Sequence, residues 1–354
     1  MNPDPSSSAK PAPTLSSRKK LVFSLFMMIG LALVAEAVLR LADPAIFRFA
    51  LAARRTHAYQ EWSRTDLRPN CKERLRLERE DGTVIYDFTL AADELGLRSA
   101  APEGRPQAAL HGKTRTAVHC VGDSFTMGWG VEVGQSYPSQ LQQRLGEGYL
   151  VLNEGVDGIG LIAARERYRA AALEYPPAQV LYLFVANDVA EDAQALKQRE
   201  RWGVRHAWER FYSGARRHSA LLNLPFVLKW NVALKARMNR PLEEDRAEFG
   251  KMPEIADWMA LANAAAPAEH ATARALLELR DACRATQAEL HVVFVHEDQE
   301  SHAMARLCLD EGIPIVTELI PYEQHIPWDW HLNPEGNQRL ADAIAERVFG
   351  VPPR

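Results

Sequence analysis

The chain has 354 residues, of which 47% are hydrophobic and 25% are charged, and its net charge is -4. The length allows one large domain or two with a sizeable core, and the composition is that of an ordinary globular protein. The small negative charge gives no reason to expect a nucleic acid as a partner.

The beginning of the chain predicts a disordered tail followed by a membrane helix. The first seventeen residues are rich in Ser, Pro and Ala, and a positive cluster, Arg18-Lys19-Lys20, precedes an apolar run from Leu21 to Val38. This run is about as long as one bilayer span. We therefore expect a disordered cytoplasmic tail over residues 1–20 and a single transmembrane anchor over residues 21–40.

The orientation and the fate of this segment follow from its flanking residues. Positive charges stay in the cytoplasm, which places the remainder of the chain outside it. A cleaved signal peptide is the alternative, because Ala35-Glu36-Ala37 is a small-x-small sequence. We favour the anchor because the run is longer than a usual signal-peptide core. A buried helix is the least favoured alternative, since the run is apolar on all sides.

A polar, Arg-rich leader over residues 41–113 comes next. Thr83 to Leu90 predicts one strand outside the main sheet, and the segment Glu94-Leu95-Gly96-Leu97-Arg98 closes the leader. Among the four cysteines, Cys120 is expected in the core. The other three cysteines allow one disulfide, and its pairing cannot be deduced from sequence.

From residue 116 the pattern alternates between strand and helix, with short connections. This alternation predicts an α/β fold with a doubly wound parallel sheet flanked by helices, over residues 114–354. The predicted strands are Thr116–Cys120, Tyr149–Leu152, Val180–Leu183, Ala288–Val295 and Ile313–Thr317, and the predicted helices are Tyr137–Leu145, Ile162–Glu174, Ala271–Gln287, Ser301–Glu311 and Gly336–Val348.

One stretch, residues 196–268, is too long for a plain connection and predicts a helical insertion. Between residues 196 and 240 it carries eleven Lys or Arg against two Glu, with six aromatic residues interleaved. Two interpretations stay open. The stretch is either a surface that faces anionic lipid or an acidic glycan, or a solvated helical face over an aromatic core stripe.

Chemically useful residues follow successive predicted strands. Ser124 ends the first strand, Gly158 and Asn187 come after the second and third, and an Asp-x-His pair, Asp329 and His331, lies near the end of the chain. A serine nucleophile needs a histidine that takes its proton and a carboxylate that orients the histidine. Glycine and asparagine suit an oxyanion hole. The carboxyl ends of parallel strands bring such residues to one edge.

These four motifs together resemble the SGNH/GDSL hydrolase family over residues 114–350. Ser124 in G-D-S-F, Gly158 in V-D-G-I-G, Asn187 in V-A-N-D and His331 in D-W-H-L-N-P-E-G match the four blocks in the family's order. The chain departs from the usual pattern at Ala186, where a glycine is common, and at the acid, which lies two residues before the histidine instead of three. The resemblance implies an SGNH-hydrolase-like, flavodoxin-like three-layer fold.

The resemblance also implies a serine esterase that acts on O-acyl esters, O-acetyl esters above all, in the periplasm of a cell whose inner membrane holds the anchor. Ser124 is the expected nucleophile, His331 the base and Asp329 the orienting acid, while Ser124, Gly158 and Asn187 form the oxyanion hole. No cofactor and no metal ion are expected. The expected partners are the membrane and an ester-bearing small molecule, lipid or glycan.

Three alternatives remain at this point. The alternatives to the esterase are an O-acetyltransferase that modifies an envelope glycan and a non-catalytic glycan-binding envelope protein. Asp329 would merely cap the turn before Pro334 if Glu323 or a backbone carbonyl oriented the histidine.

Overall fold

The computed structural model describes residues 16–42, 45–58, 66–79, 81–99, 115–199, 204–249 and 270–352. Most of the predicted tail, the end of the leader and the end of the insertion lie outside these residues. The described helices are α1 Ser17–Ala42, α2 Ala45–Thr56, α3 Ser124–Met127, α4 Tyr137–Leu145, α5 Leu161–Glu174, α6 Asn187–Arg199, α7 Val204–Arg216, α8 Ala220–Met238, α9 Leu242–Phe249, α10 Ala271–Ala285, α11 Gln299–Asp310 and α12 Pro334–Phe349. The described strands are β1 His57–Ala58, β2 Asp66–Leu67, β3 Lys72–Glu78, β4 Val84–Ala91, β5 Thr116–Gly122, β6 Tyr149–Asn153, β7 Gln179–Phe184, β8 Glu289–Phe294 and β9 Ile315–Thr317.

Five parallel strands form the central sheet in the order β6-β5-β7-β8-β9. Successive residues of β7 point to opposite faces, so that Leu181 and Leu183 lie in one core and Val180, Tyr182 and Phe184 in the other. Helices α4 and α12 cover the first face, and α5, α10 and α11 cover the second. The predicted doubly wound three-layer fold is confirmed.

This strand order decides where a site can form. The chain leaves β5 toward β6 on one side and then returns to β7 on the other, so the connections diverge at β5. A crevice opens at such a switch point, at the carboxyl ends of the strands. Ser124 follows β5, Gly158 follows β6 and Asn187 follows β7, so all three flank this crevice.

The first helix, α1, is long and apolar enough to cross a membrane, and none of its residues is buried. A signal sequence near the N-terminus has the same properties. The helix begins at Ser17, so residues 17–20, expected in the disordered tail, are helical. The basic cluster therefore forms the first turns of the helix.

The leader packs onto the α/β domain. The predicted strand Thr83–Leu90 is β4, which pairs with β3 in an antiparallel hairpin outside the main sheet. Phe88 of β4 and Trp129 of the α/β domain lie in one core cluster, with their ring centroids 5.5 Å apart. The two segments thus share a core.

The insertion contains three described helices, α7 to α9, and α8 packs against both α1 and α2. Trp208 and Phe211 of α7 are exposed, so these two side chains are not part of a core stripe. Trp202 and the side chains of Phe226 and Trp230 lie outside the described part of the chain. The open question of a disulfide is also settled, because all four cysteines are free and buried.

Candidate active site

The predicted nucleophile stands at a sharp turn between β5 and α3. Gly122 ends the strand with φ +153, and a Cβ there would meet the Thr126 side chain at 2.4 Å. Asp123 caps α3, since its Oδ1 accepts the Phe125 N–H at 2.9 Å. The cap is therefore Asp123, which leaves the Ser124 hydroxyl, in a residue only 8% exposed, for other partners.

A hydrogen-bonded chain joins the three residues for which the sequence predicts a triad. Ser124 Oγ lies 2.7 Å from His331 Nε2, and His331 Nδ1 lies 2.6 Å from Asp329 Oδ2. Because the carboxylate only accepts, Nδ1 carries the hydrogen, and Nε2 is free to accept the serine hydroxyl hydrogen. Glu323, the alternative orienting acid, pairs with Arg246 instead. Asn333 is the residue that caps the helix begun by Pro334.

The charge of His331 depends on two opposing effects. Burial alone would lower the pKa of His331, but the neighbouring Asp329 carboxylate raises it, and the net pKa lies above the usual value of 6.5. A histidine of this kind accepts a proton readily and stabilises it once bound. This property suits a general base.

The backbone that brings Asp329 to His331 is not the extended segment that their spacing suggested. Trp328 has φ +61 and Trp330 has φ +71, both in the left-handed region that bulky residues rarely adopt. A turn closes on Ile326, whose N–H donates to the carbonyl of His331 at 2.7 Å. The two side chains meet because the chain folds tightly here, and the assumption of extended geometry was wrong.

The insertion holds this strained loop in place. Asp245 of α9 is fully buried, and its carboxylate accepts the Trp328 N–H at 2.7 Å, the Trp330 indole N–H at 3.2 Å and the Tyr322 hydroxyl at 2.7 Å. Strained backbone persists where surrounding contacts over-determine it. Asp245 supplies such contacts on both sides of Asp329.

We expect Asp245→Asn to lower kcat about 10²-fold with a smaller change in KM, because a shift of about 1 Å in a positioned group has that cost. The amide keeps the shape of the side chain but loses its charge and one acceptor oxygen. The matched control is Glu244→Gln on the exposed side of the same helix. Steady-state kinetics on a short ester, with thermal melting of both variants, is the measurement. A kcat equal to that of the control would show that α9 does not position the loop.

Of the predicted oxyanion residues, Asn187 is connected to Ser124 through Asp123. The Asn187 amide donates to Asp123 Oδ2 at 3.1 Å, and the same oxygen lies 3.3 Å from Ser124 Oγ. Burial raises the pKa of Asp123, and its hydrogen bonds with Asn187 and Phe125 act in the opposite direction. Gly158 lies in an exposed turn with φ +68, a conformation that glycine adopts without strain.

Two leader residues contact the segments that carry Ser124 and Gly158. The sequence analysis assigned no role to either of them. Arg98 is buried and donates to the carbonyls of Met127 and Gly128, at the end of the nucleophile helix. His57 pairs with Asp157, the residue before Gly158. Burial would lower the pKa of His57, but the Asp157 carboxylate raises it. Arg98 ends the segment Glu94-Leu95-Gly96-Leu97-Arg98, which closes the leader, whereas His57 has no sequence signal.

Comparison with known proteins gives a family model and several solved structures. The model of the GDSL-like lipase/acylhydrolase family matches residues 120–339, which include every predicted site residue. No match was found among curated proteins.

Three solved structures to which the chain is similar come from bacteria. A GDSL-like lipase from Bacteroides thetaiotaomicron is 13% identical, with 69% of this chain and 95% of that chain covered and a TM-score of 0.36. A member of the lipolytic protein G-D-S-L family from Veillonella parvula is 11% identical, with 66% and 98% covered and a TM-score of 0.37. Est24, a carbohydrate acetylesterase from Sinorhizobium meliloti, is 16% identical, with 67% and 99% covered and a TM-score of 0.34.

Proposed function

Because this chain belongs to the GDSL-like lipase/acylhydrolase family, we propose that it is a serine esterase that hydrolyses O-acyl esters outside the cytoplasm. The observation that carries the proposal is the chain of short hydrogen bonds from Ser124 through His331 to Asp329. Ser124 meets His331, 207 residues further along the chain, and the neighbouring Asp329, in the order that nucleophilic acyl transfer requires.

The mechanism follows from this geometry. Ser124 Oγ attacks the ester carbonyl while its hydrogen passes to His331 Nε2, and Asp329 stabilises the imidazolium through Nδ1–H. The oxyanion receives hydrogen bonds from the N–H groups of Ser124 and Gly158 and from the Asn187 amide. The tetrahedral intermediate then expels the alcohol, which takes the proton from Nε2 and leaves an acyl-enzyme.

Deacylation repeats these steps with water. His331 Nε2 takes a proton from the attacking water, the second tetrahedral intermediate collapses, and Ser124 Oγ leaves as it regains that proton. The carboxylic acid is released and the enzyme is regenerated. We take a short acyl group, with acetyl as the favoured case, to be the one transferred to Ser124.

The test is labelling with a fluorophosphonate probe, which reacts with an activated serine. The wild-type protein should label and should hydrolyse p-nitrophenyl acetate faster than longer esters. Ser124→Ala should lose both properties. Ser213→Ala, a serine exchange on α7 away from the site, should keep both. Labelling and turnover that survive in Ser124→Ala would overturn the proposal.

O-acetyl transfer to a glycan is the second candidate. The observation in its favour is that Asp245 of the insertion contacts the loop of residues 326–331, the histidine loop, and a cover that excludes water favours transfer over hydrolysis. Product analysis decides between the two reactions. Hydrolysis gives free acetate at the same yield with and without an added oligosaccharide, whereas transfer moves the acetyl group to the sugar.

The proposed location predicts the outcome of a topology experiment. With α1 as a single span and its basic cluster in the cytoplasm, alkaline phosphatase fused to the C-terminus should be active and green fluorescent protein at the same place should be dark. A protein that stays in the membrane fraction at full length supports an anchor, and release of a shortened protein supports a cleaved signal. The reverse pattern of reporters would contradict the extracytoplasmic location.

A further inference from the structure

A carboxylate of the anchor helix fixes the insertion. Glu36 of α1 accepts the Ser219 hydroxyl at 2.8 Å and the backbone N–H groups of Ala220 and Leu221 at 2.9 and 2.8 Å. The first N–H groups of a helix have no partner within it, so Glu36 acts as the cap of α8. Arg40, one turn later, pairs with Glu36 at 2.7 Å.

This contact sets the level of the insertion relative to a membrane that α1 crosses. Glu36 follows Ser17 by nineteen residues, which corresponds to about 28 Å along a helix. The hydrocarbon core of a bilayer is about 30 Å thick. With the basic cluster at the cytoplasmic surface, Glu36 and the start of α8 lie at the outer interface between lipid and water.

The adjoining helix, α7, has the surface that such an interface requires. Trp208 is 61% exposed and Phe211 is 65% exposed, and their ring centroids lie 5.7 Å apart. Tyr212 stacks against Trp208 on the same side. Residues 204–217 carry four Arg against one Glu. Aromatic rings favour the headgroup level of a membrane, and arginines favour anionic lipid.

We propose that α7 and the first turns of α8 lie on the outer surface of the membrane that α1 crosses, with Trp208 and Phe211 among the lipid headgroups. This inference rests on the proposed span of α1 and is independent of the chemical reaction. The occupant of the surface is lipid, because α7 packs against α8, and α8 is capped by Glu36 of α1, an apolar helix with no buried residue. Asp245, in the same insertion, accepts hydrogen bonds from Trp328 and Trp330 of the histidine loop. This contact connects the active site to the part of the insertion that lies on the membrane.

The test uses the full chain in liposomes of phosphatidylglycerol and phosphatidylcholine. The native cysteines are all buried, so a thiol-reactive fluorophore labels an introduced cysteine. Phe211→Cys is the test position. Leu309→Cys is the matched control, because Leu309 is also 65% exposed but lies on α11, which packs against β8 and β9. Met28→Cys reports on the span itself.

Nitroxide lipids then report the depth of each label. A headgroup nitroxide should quench the label at position 211 several-fold more than the label at position 309, and a deep acyl-chain nitroxide should quench position 28. Position 211 should also be quenched less in pure phosphatidylcholine. Quenching at position 28 with equal quenching at positions 211 and 309 would overturn the placement of α7 on the membrane but would leave the span of α1 standing. Absence of quenching at 28 would overturn the span and the inference together. A response of position 211 to an acidic glycan and not to lipid would also overturn it.

Discussion

Replacing His331 with alanine is expected to lower kcat for p-nitrophenyl acetate on the order of 10⁵–10⁶-fold, the size of loss that follows removal of a triad base. Ser124 Oγ has only His331 Nε2, at 2.7 Å, and the weaker contact with Asp123 at 3.3 Å as described partners. Without the imidazole the hydroxyl keeps its proton at neutral pH and remains a poor nucleophile.

The double variant Ser124→Ala with His331→Ala makes this prediction specific. Residues that act as a unit are not additive, so the double variant should be no slower than either single variant. Steady-state kinetics with circular dichroism on all three proteins is the measurement. Losses that multiply in the double variant would show that the two side chains act separately. A single variant within tenfold of wild type would remove His331 from the mechanism.

The central sheet was predictable because its strands are buried on both faces. Such strands appear in the sequence as continuous apolar runs, and Val180 to Leu183 is one of them. The helices between them carry the complementary alternation of apolar and polar residues. The predicted helix Tyr137–Leu145 has the same bounds in the structure. Local pattern and tertiary burial agree in this part of the chain.

The leader hairpin was only half predictable. In β3 charged residues alternate with Leu75 and Leu77, which are buried, while the charges face solvent. This alternation is the pattern of a half-buried strand, but the high charge concealed it. Its partner β4 is richer in β-branched and aromatic residues, and it was predicted to within one residue at each end.

Contacts that hold the site from a distance left no local signal. Asp245 lies in an acidic run next to Glu243 and Glu244, and nothing in that run distinguishes the one carboxylate that turns inward. The same holds for His57, whose partner Asp157 is a hundred residues away. Sequence motifs identify groups that do chemistry, whereas the groups that orient them are defined by the packing of distant segments.

The loop around Asp329 shows why a contact can be predicted for the wrong reason. The spacing of two residues suggested side chains on one side of an extended strand. In the structure the left-handed backbone of Trp328 and Trp330 brings the two groups together, and bulky aromatic residues give no hint of that conformation. The tryptophans are retained there by cation–π contacts, with Arg79 at 4.1 Å and Arg237 at 4.2 Å from the ring centroids.

Asp329→Asn is expected to lower kcat about 10⁴-fold with a much smaller change in KM, because the amide stabilises the wrong tautomer of His331.

The pH profile of Asp329→Asn gives a second measurement. Activity requires neutral His331, so kcat/KM rises with pH through the pKa of this group. Burial lowers that pKa and the Asp329 carboxylate raises it above 6.5. Removal of the carboxylate leaves the effect of burial, so the acidic limb should move to lower pH as the plateau falls. Asp310→Asn, an exchange at an exposed position of α11, should change neither quantity. A plateau within a few-fold of wild type, with an unmoved acidic limb, would mean that Asp329 does not orient the histidine.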